Sequence, residues 1–317
     1  MRLLRSWTLL TPAALAFALA APAAAVADQS GSSNWSGYAV HRSGKTFNHV
    51  TGSWLQPNAS CAAGGPTYSA FWVGLGGYAQ SSVGIEQLGT EFDCTASGQP
   101  KLTAWYELLP APVRRISMTV LPGDQMAADV RIAGKNVTLT LQDLTRHESF
   151  SRTVFDHKID KSSAEWITEA PSECAGSYHC KALPLTDFGS VTFSGASAQS
   201  STGETGPISS PLWKSTEIVL SRSAQYVSVS SHSSAHEASP SRLRDGGRSF
   251  TVSFAGASHP SAPAPTTPST GTAPADGGGT PGGGGYPGYY PGGGGYPGGG
   301  GYGGGGYGGG GWYPGGG

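Results

Sequence analysis

The sequence predicts an all-β protein: an antiparallel β-sandwich of two large sheets, of the concanavalin-like or jelly-roll type, with a disordered C-terminal tail. Short apolar segments rich in β-branched and aromatic residues recur along most of the chain, and Gly, Ser, Pro and Asn separate them. No long segment has the apolar periodicity of a helix. More than half of the 50 glycines follow residue 276, where the composition cannot build a hydrophobic core.

Several of the apolar segments alternate with polar residues, as strands with one buried face do. Val137, Leu139 and Leu141 alternate with Thr138 and Thr140. About ten such segments favour one large sandwich or barrel domain over residues 28–256. We expect strands at Tyr68–Leu75, Leu102–Leu109, Ile116–Leu121, Ala127–Ile132, Val137–Leu141, Ser163–Thr168, Ser190–Phe193, Glu217–Leu220, Tyr226–Ser230 and Ser249–Phe254.

The first 27 residues have the pattern of a signal peptide. Arg2 and Arg5 precede an apolar stretch, Leu9–Ala21, that is too short to span a bilayer. Ala25-Val26-Ala27 then places small residues where a signal peptidase cleaves. The sequence therefore predicts cleavage after Ala27 and a secreted, extracellular protein that does not associate with a membrane.

Four cysteines suit an exported protein, because disulfides are the default in an oxidising compartment. Cys61, Cys94, Cys174 and Cys180 allow three pairings. The simplest set joins Cys174 to Cys180 across a short loop and Cys61 to Cys94 across a long one. A zinc site is disfavoured, since no pair has the close spacing that zinc ligands usually show.

The C-terminal part divides into a linker and a tail. Residues 257–276 are mainly Ala, Pro, Thr and Ser, which predicts a semi-extended linker. Residues 277–317 are Gly runs interrupted by Tyr and Trp, which cannot bury enough apolar area to fold. A flexible solubilising tail is the simpler interpretation. Contact with cell wall or another polymer through the spaced aromatic side chains is the alternative.

The charge balance and the absence of familiar catalytic motifs exclude several classes of function. The chain has 19 Lys and Arg against 20 Asp and Glu, which excludes a strongly basic nucleic-acid binder. The sequence contains no serine-nucleophile elbow, zinc-protease helix motif, P-loop or dinucleotide fingerprint. We therefore expect no cofactor and no metal, and a protein that acts as a monomer.

Acids and amides inside apolar strand segments are the candidates for chemistry. Glu86 and Gln87 are adjacent, so their side chains face opposite sides of a strand. Glu165 and Glu169 fall on the same side of theirs, and Glu107 follows two aromatic residues. A buried carboxylate is costly unless it is hydrogen-bonded or functional. For any one of these glutamates a structural role is the better explanation, but together they predict a polar cleft.

An ordered series of short motifs resembles the glutamic peptidases, the eqolisins. The series covers residues 34 to about 250, nearly the whole predicted domain. The resemblance implies a sandwich of two seven-stranded antiparallel sheets with a cleft across one concave face. The matching segments are Asn34-Trp35-Ser36-Gly37-Tyr38, Gly52-Ser53-Trp54, Phe71–Gly77, Glu86-Gln87-Leu88-Gly89, Ala104-Trp105-Tyr106-Glu107, Gly123-Asp124 and Ala164–Glu169.

The resemblance also implies roles for individual residues. Gln87 and Glu169 would be the catalytic dyad, with Glu165 as a supporting acid. Trp35, Trp72 and Glu107 would line the cleft and contact substrate. Cys174–Cys180 would match a local disulfide after the catalytic glutamate.

Two positions depart from the family pattern. Gly76 stands where an acid is common, and a second acid is missing near Thr103. The sequence therefore predicts fewer carboxylates beside the dyad than in the family.

A glutamate and a glutamine can hydrolyse a peptide bond without a metal. Ionised Glu169 would take a proton from water as a general base, and the Gln87 amide would donate to the oxyanion. An ordinary Glu pKa near 4.3 would keep Glu169 active in acid. The sequence thus predicts a secreted acid endopeptidase acting on proteins or peptides. The alternatives are a secreted glycan hydrolase, a carbohydrate-binding protein, or a non-catalytic surface protein whose tail carries the function.

Overall fold

A computed structural model describes residues 27–255, apart from 80, 81, 83, 176–178 and 222–236. Residues 1–26 of the expected signal peptide, the linker and the Gly/Tyr-rich tail lie outside the described residues, as does the strand expected at Tyr226–Ser230. In the described part of the chain, no helix is long and apolar enough to cross a membrane.

Eighteen strands and one 3-10 turn, Asp245–Gly247, form the described part of the chain. The strands are β1 (Asp28–Ser32), β2 (Trp35–His41), β3 (Phe47–Leu55), β4 (Thr67–Gly76), β5 (Ile85–Cys94), β6 (Pro100–Leu108), β7 (Arg114–Ile116), β8 (Gln125–Ala133), β9 (Asn136–Asp143), β10 (Glu148–Phe155), β11 (Ser163–Glu169), β12 (Ser172–Ala175), β13 (His179–Ala182), β14 (Ser190–Ser200), β15 (Thr205–Gly206), β16 (Lys214–Leu220), β17 (Ala238–Pro240) and β18 (Phe250–Phe254).

The strands form a sandwich whose two layers are continuous at one edge. One layer has the order β10-β9-β8-β3-β14-β18-β17, and the other has the order β16-β2-β11-β4-β5-β6-β7. A single residue pair, Leu220 with Ala238, joins them where β16 meets β17. Among the pairings between the strands named above, β1 with β16 is parallel and the others are antiparallel. The antiparallel sandwich expected from the sequence is confirmed.

The main core lies between the two layers. Val137, Leu139 and Leu141 of β9 point into it, as the alternating sequence predicted. On the outer side Thr138 and Thr140 form hydrogen bonds to hydroxyl groups of the neighbouring β10. Large buried aromatic side chains of both layers complete this core.

A second apolar cluster covers the opposite face of the layer that contains β11, β4 and β5. It comprises Trp35, Ala39, Ala70, Trp72, Ile85, Trp105, Ile167 and Ile218. These strands are therefore buried on both faces. Accordingly, β4 is apolar without alternation over Ala70–Gly76, whereas β11 carries buried acids among its apolar residues. Gly89 lies between two of the tryptophans along the sheet, and a Cβ there would come within 2.1 Å of the Phe71 carbonyl oxygen.

Two local expectations differ from the structure. The strand expected at Ile116–Leu121 ends at Ile116, and the chain then turns so that the Leu121 N–H donates to the Asp124 carboxylate at 2.7 Å. Strand β10 was not expected, because its sequence is mostly polar. It lies at the edge of the sandwich, where exposed Ser, Thr and Arg side chains are favourable.

The predicted disulfide between Cys61 and Cys94 is present, with a Cα–Cα distance of 5.4 Å. It ties the loop after β3 to the end of β5. In the β12–β13 hairpin, Cys174 is the register partner of Cys180. Their side chains lie outside the described part of the structure, so this second disulfide stays a prediction.

Removing the Cys61–Cys94 disulfide should destabilise the domain. The bond closes a loop with a sequence separation of 33 residues. Loop-closure entropy of that length contributes about 3–4 kcal/mol. A Cys61→Ala, Cys94→Ala double variant should therefore show a lower midpoint of guanidinium chloride unfolding than oxidised wild type, with a slope that is no smaller, because the unlinked unfolded chain is less compact. Equal midpoints would show that the bond does not constrain the unfolded chain.

Candidate active site

The predicted site residues come from four adjacent strands whose register aligns them in rows. Glu169 of β11 lies beside Ala70 of β4, which in turn lies opposite Glu91 of β5. Gln87 of β5 lies opposite Glu107 of β6. Because side chains alternate along a strand, these residues all point to one face of the layer.

A cleft of about 260 Å³ opens on this face. Of the residues singled out from the sequence, Gln87, Glu107 and Glu169 line it. Glu86 lies on the opposite face of β5, toward the interior of the sandwich, as the alternation along this strand requires. The structure thus brings the two residues of the expected dyad to one cleft.

Buried N–H donors hold both oxygens of the Glu169 carboxyl group. The side-chain amide of Asn34 donates to Oε1 at 3.0 Å, and the indole N–H of Trp72 donates to Oε2 at 2.8 Å. Burial raises the pKa of Glu169 to about 8, although Trp72, Trp35 and Asn34 favour the charged form. The ordinary pKa expected from the sequence is therefore wrong, because the carboxyl group is removed from water.

Asn34 is a site residue to which the sequence analysis gave no role. Its backbone N–H donates to the Ser32 hydroxyl at 3.2 Å, and that hydroxyl donates to Asn34 Oδ1 at 3.1 Å. The Ala170 N–H donates to the Asn34 carbonyl oxygen at 2.8 Å. These contacts fix the side-chain amide beside Glu169. In the sequence, the position of Asn34 directly before Trp35 in the family motif was the signal that could have pointed to this role.

Gln87 is oriented by a second carboxyl group. Its Nε2 donates to Glu107 Oε2 at 2.9 Å, and both side chains are almost fully buried. Glu107 accepts a hydrogen bond here, so the amide nitrogen of Gln87 faces it. Gln87 Oε1 is buried and has no hydrogen-bond partner among the described residues. Because Gln87 lines the cleft, this oxygen is open to a water molecule or a ligand there.

The structure corrects the expected roles of Trp35 and Trp72 in contacting substrate. Both indole rings are 0% exposed, and they pack edge to face with ring centroids 5.0 Å apart. They form part of the apolar layer beneath the cleft, and Trp72 positions Glu169. Trp105 and Tyr68 line the cleft instead. A search by aromatic content alone could not separate these roles.

Two further acids, Glu91 and Asp93, line the cleft although neither Gly76 nor Thr103 is acidic. Glu91 lines the cleft directly opposite Thr103, whose hydroxyl donates to Glu91 Oε2 at 3.2 Å. Asp93, two residues further along β5, lines it as well. The alternation that placed Gln87 on this face also places Glu91 and Asp93 there, so the strand pattern contained the signal.

At Gly76 an acidic side chain would not fit. The residue has φ +80°, and a Cβ would lie 2.6 Å from the Cβ of Asp160. Asp160 therefore occupies the space next to this glycine.

Asp160 belongs to a group of buried acids that does not line the cleft. Its N–H donates to Glu86 Oε1 at 3.2 Å. Burial raises the pKa of Glu86 to about 9, and Asp156 and Asp160 add to the rise. Burial likewise raises the pKa of Glu165 well above its usual range, with further contributions from Asp160 and Glu86. Glu165, the predicted supporting acid, thus lies in the protein interior as part of this group.

Comparison with known proteins places this chain in a family. Residues 33–238 match the peptidase A4 family. The chain belongs to the peptidase A4 family. This peptidase is 30% identical over 200 residues to aspergillopepsin-2 of Aspergillus niger, a match that covers 56% of this chain and 67% of the relative. It is therefore a peptide-bond hydrolase, and the glycan-active alternatives are not supported.

Solved glutamic peptidases share the fold. Scytalido-glutamic peptidase with a transition state analog inhibitor matches with a TM-score of 0.56 and 23% identity, over 70% of this chain and 98% of that chain. SCP-B, a member of the eqolisin family in a complex with the tripeptide Ala-Ile-His, matches with a TM-score of 0.53 and 22% identity over the same shares. The resemblance to the glutamic peptidases is thereby confirmed.

Glu86→Gln should make the peptidase more stable near neutral pH. The folded-state pKa of Glu86, about 9, lies above the ordinary value of 4.5. The stabilising contribution of the protonated form is thus fully present below pH ~4.5 and is lost as pH rises toward the folded pKa, at roughly 1.4 kcal/mol per pH unit. Gln resembles the protonated acid but cannot ionise.

The measurement is chemical unfolding of Glu86→Gln and wild type at pH 4 and pH 7. The variant should be about 3 kcal/mol more stable at pH 7 and equal at pH 4. Glu173→Gln, at an exposed position, is the matched control and should follow wild type. A Glu86→Gln curve parallel to wild type would mean that Glu86 ionises normally in the folded protein.

Proposed function

We propose that this peptidase is a secreted endopeptidase in which Glu169 and Gln87 form the catalytic pair. The observation that carries the proposal is their placement on one cleft: Glu169 between buried N–H donors and Gln87 with an unpartnered carbonyl oxygen. The motif correspondence with the glutamic peptidases assigns the same two residues.

In the first step, Glu169 acts as the general base. Its carboxylate accepts a proton from a water molecule while the water oxygen attacks the carbonyl carbon of the scissile bond. The N–H groups of Trp72 and Asn34 stabilise the ionised state that this step requires. Gln87 Oε1 can accept the second proton of the water in a hydrogen bond and so orient it.

In the same step, the carbonyl oxygen becomes an oxyanion. The amide nitrogen of Gln87 has two N–H bonds, of which one donates to Glu107 and the other can donate to the oxyanion. One well-placed donor contributes about 10²–10³ in rate. Glu107 acts as a positioning residue, because it fixes the rotation of the Gln87 amide.

In the second step, the tetrahedral intermediate collapses. The C–N bond breaks, and protonated Glu169 returns its proton to the leaving amine, which regenerates the carboxylate. A pKa raised toward neutrality suits a group that must accept a proton and then give it back. The products are a new carboxyl terminus and a new amino terminus, with no metal or covalent intermediate.

Two opposing effects would set the pH range in which the peptidase is active. Ionisation of Glu169 favours activity as pH rises, whereas ionisation of Glu86 and Glu165 destabilises the fold over the same range. Activity per folded molecule therefore rises with pH while the stability of the fold falls, and the optimum lies where these two effects balance. Secretion is supported by the signal-like N terminus and by the Cys61–Cys94 disulfide, which an oxidising compartment favours.

Glu169→Gln should abolish hydrolysis of casein while leaving the fold intact, because an amide cannot accept the proton from water. We expect a loss of at least ~10³ in kcat, with circular dichroism and the unfolding midpoint at pH 4 close to wild type. Glu165→Gln is the matched control on the same strand face and should retain casein hydrolysis. Near-native activity in a folded Glu169→Gln protein would overturn the assignment.

Gln87→Ala should lower kcat by about 10²–10³ with little change in KM, because the oxyanion contact forms mainly in the transition state. Gln87→Glu should be equally poor near neutral pH and recover partly in strong acid, where a protonated carboxyl group can donate. Steady-state kinetics on one peptide from pH 3 to pH 7 tests both. Glu86→Gln, one residue away on the other face, is the control. A kinetic loss that follows Glu86 instead would contradict the proposed pair.

A further inference from the structure

Two cationic side chains line the cleft and have no part in the proposed chemistry. Lys101 extends from β6 and Arg115 from β7. Both residues are exposed. Within the described ranges, the ion pairs join Lys45 to Glu204, His49 to Asp129 and Arg146 to Glu148, and they include neither cleft cation. Both positive charges are therefore available to a ligand in the cleft.

The strand register explains why these two cations reach the cleft. Lys101 is the partner of Asp93 on β5, and Arg115 is the partner of Trp105 on β6, so each lies beside a cleft-lining residue. Arg114 pairs with Tyr106, whose ring belongs to the core on the other side of the layer. Adjacent arginines on one short strand thus point to opposite faces.

The acids at this end of the cleft do not cancel the two positive charges. Burial, reinforced by the neighbouring Glu91, raises the pKa of Asp93 to about 8, and Lys101 and Arg115 only partly oppose that rise. The protonated, neutral form of the Asp93 carboxyl group is therefore favoured below neutral pH, which leaves Lys101 and Arg115 without an ionised partner at this position. This end of the cleft thus favours an anionic group.

We propose that Arg115 and Lys101 form a subsite that binds a carboxylate of the peptide substrate. The inference rests on the proposed peptidase function. A guanidinium group binds a carboxylate through two parallel N–H bonds, and the lysine ammonium adds a second charge. Trp105 and Val113, which line the same cleft, offer apolar surface to the aliphatic part of a Glu or Asp side chain. The subsite selects among peptides and takes no part in bond cleavage.

The test uses the full chain and acetylated, amidated peptides that carry Glu or Gln at successive positions on either side of one scissile bond. At pH 6 and low salt, the Glu side chain is ionised. We expect the Glu peptide to exceed the Gln peptide in kcat/KM by about tenfold at one position, mainly through KM, which is the scale of one charge-assisted hydrogen bond. Raising the salt concentration should reduce the ratio.

Substitutions in the cleft show which residues cause the preference for a Glu peptide. Arg115→Gln and Lys101→Gln should each lower the Glu-to-Gln ratio, and Arg115→Glu should invert it in favour of a Lys peptide. Arg114→Gln is the matched control on the same strand and should keep the wild-type ratio. Comparing Gln peptides with free and amidated C termini distinguishes the two sources of a carboxylate. If the enzyme prefers the peptide with the free C terminus, and Arg115→Gln removes that preference, the subsite binds the C-terminal carboxylate of the substrate.

The outcomes separate this inference from the proposed function. A wild-type enzyme that cleaves the peptides without preferring a carboxylate at any position overturns the subsite and leaves the peptidase mechanism standing. A preference that Arg115→Glu does not change also overturns it. Failure of the wild-type protein to cleave any peptide between pH 3 and pH 7 would instead overturn the proposed function itself.

Discussion

The indole N–H of Trp72 and the side-chain amide of Asn34 hold the Glu169 carboxyl group at the floor of the cleft. This contact requires a sheet that is buried on both of its faces, because an exposed indole would lose its N–H to water and an exposed carboxyl group would keep its ordinary pKa. The apolar cluster around Trp35 and Trp72 supplies the second buried face. The same burial keeps Gln87 and Glu107 out of water.

Rigid strands place the side chains of the proposed catalytic site, so the spacing between these side chains is set by the spacing of the strands in the sheet. Glu169 comes from β11, Gln87 from β5 and Glu107 from β6, and each of these strands is hydrogen-bonded to a neighbour on both sides. A carboxyl group on a loop could adjust its position, whereas these side chains have little freedom to move. Pre-organised donors of this kind stabilise a developing charge without a reorganisation cost at the moment of reaction. Specificity is assigned to the rim, where exposed residues such as Arg115 can change without disturbing the core.

Buried acids connect stability with pH in this protein. Glu86 and Glu165 lie in the interior with raised pKa values, so the folded state binds protons that the unfolded chain would release. The contribution of these two groups to stability is greatest in acid and falls as pH rises, the opposite of the contribution of carboxylates that are held ionised. The acids that weaken the fold near neutrality lie close in sequence to the dyad, next to Gln87 and four residues from Glu169.

The sequence by itself determined what depends on local periodicity. Alternation predicted β9 and placed Gln87 and Glu86 on opposite faces of β5. The simplest pairing of the four cysteines, in a chain with a predicted signal peptide, included the disulfide Cys61–Cys94. Only the tertiary structure decided which face of the two-sided sheet is open. It buried Trp35 and Trp72, brought Asn34 to Glu169, and raised the pKa of that carboxyl group. The physical reason is that period-two alternation fixes directions within one strand, whereas burial depends on which distant strands become neighbours.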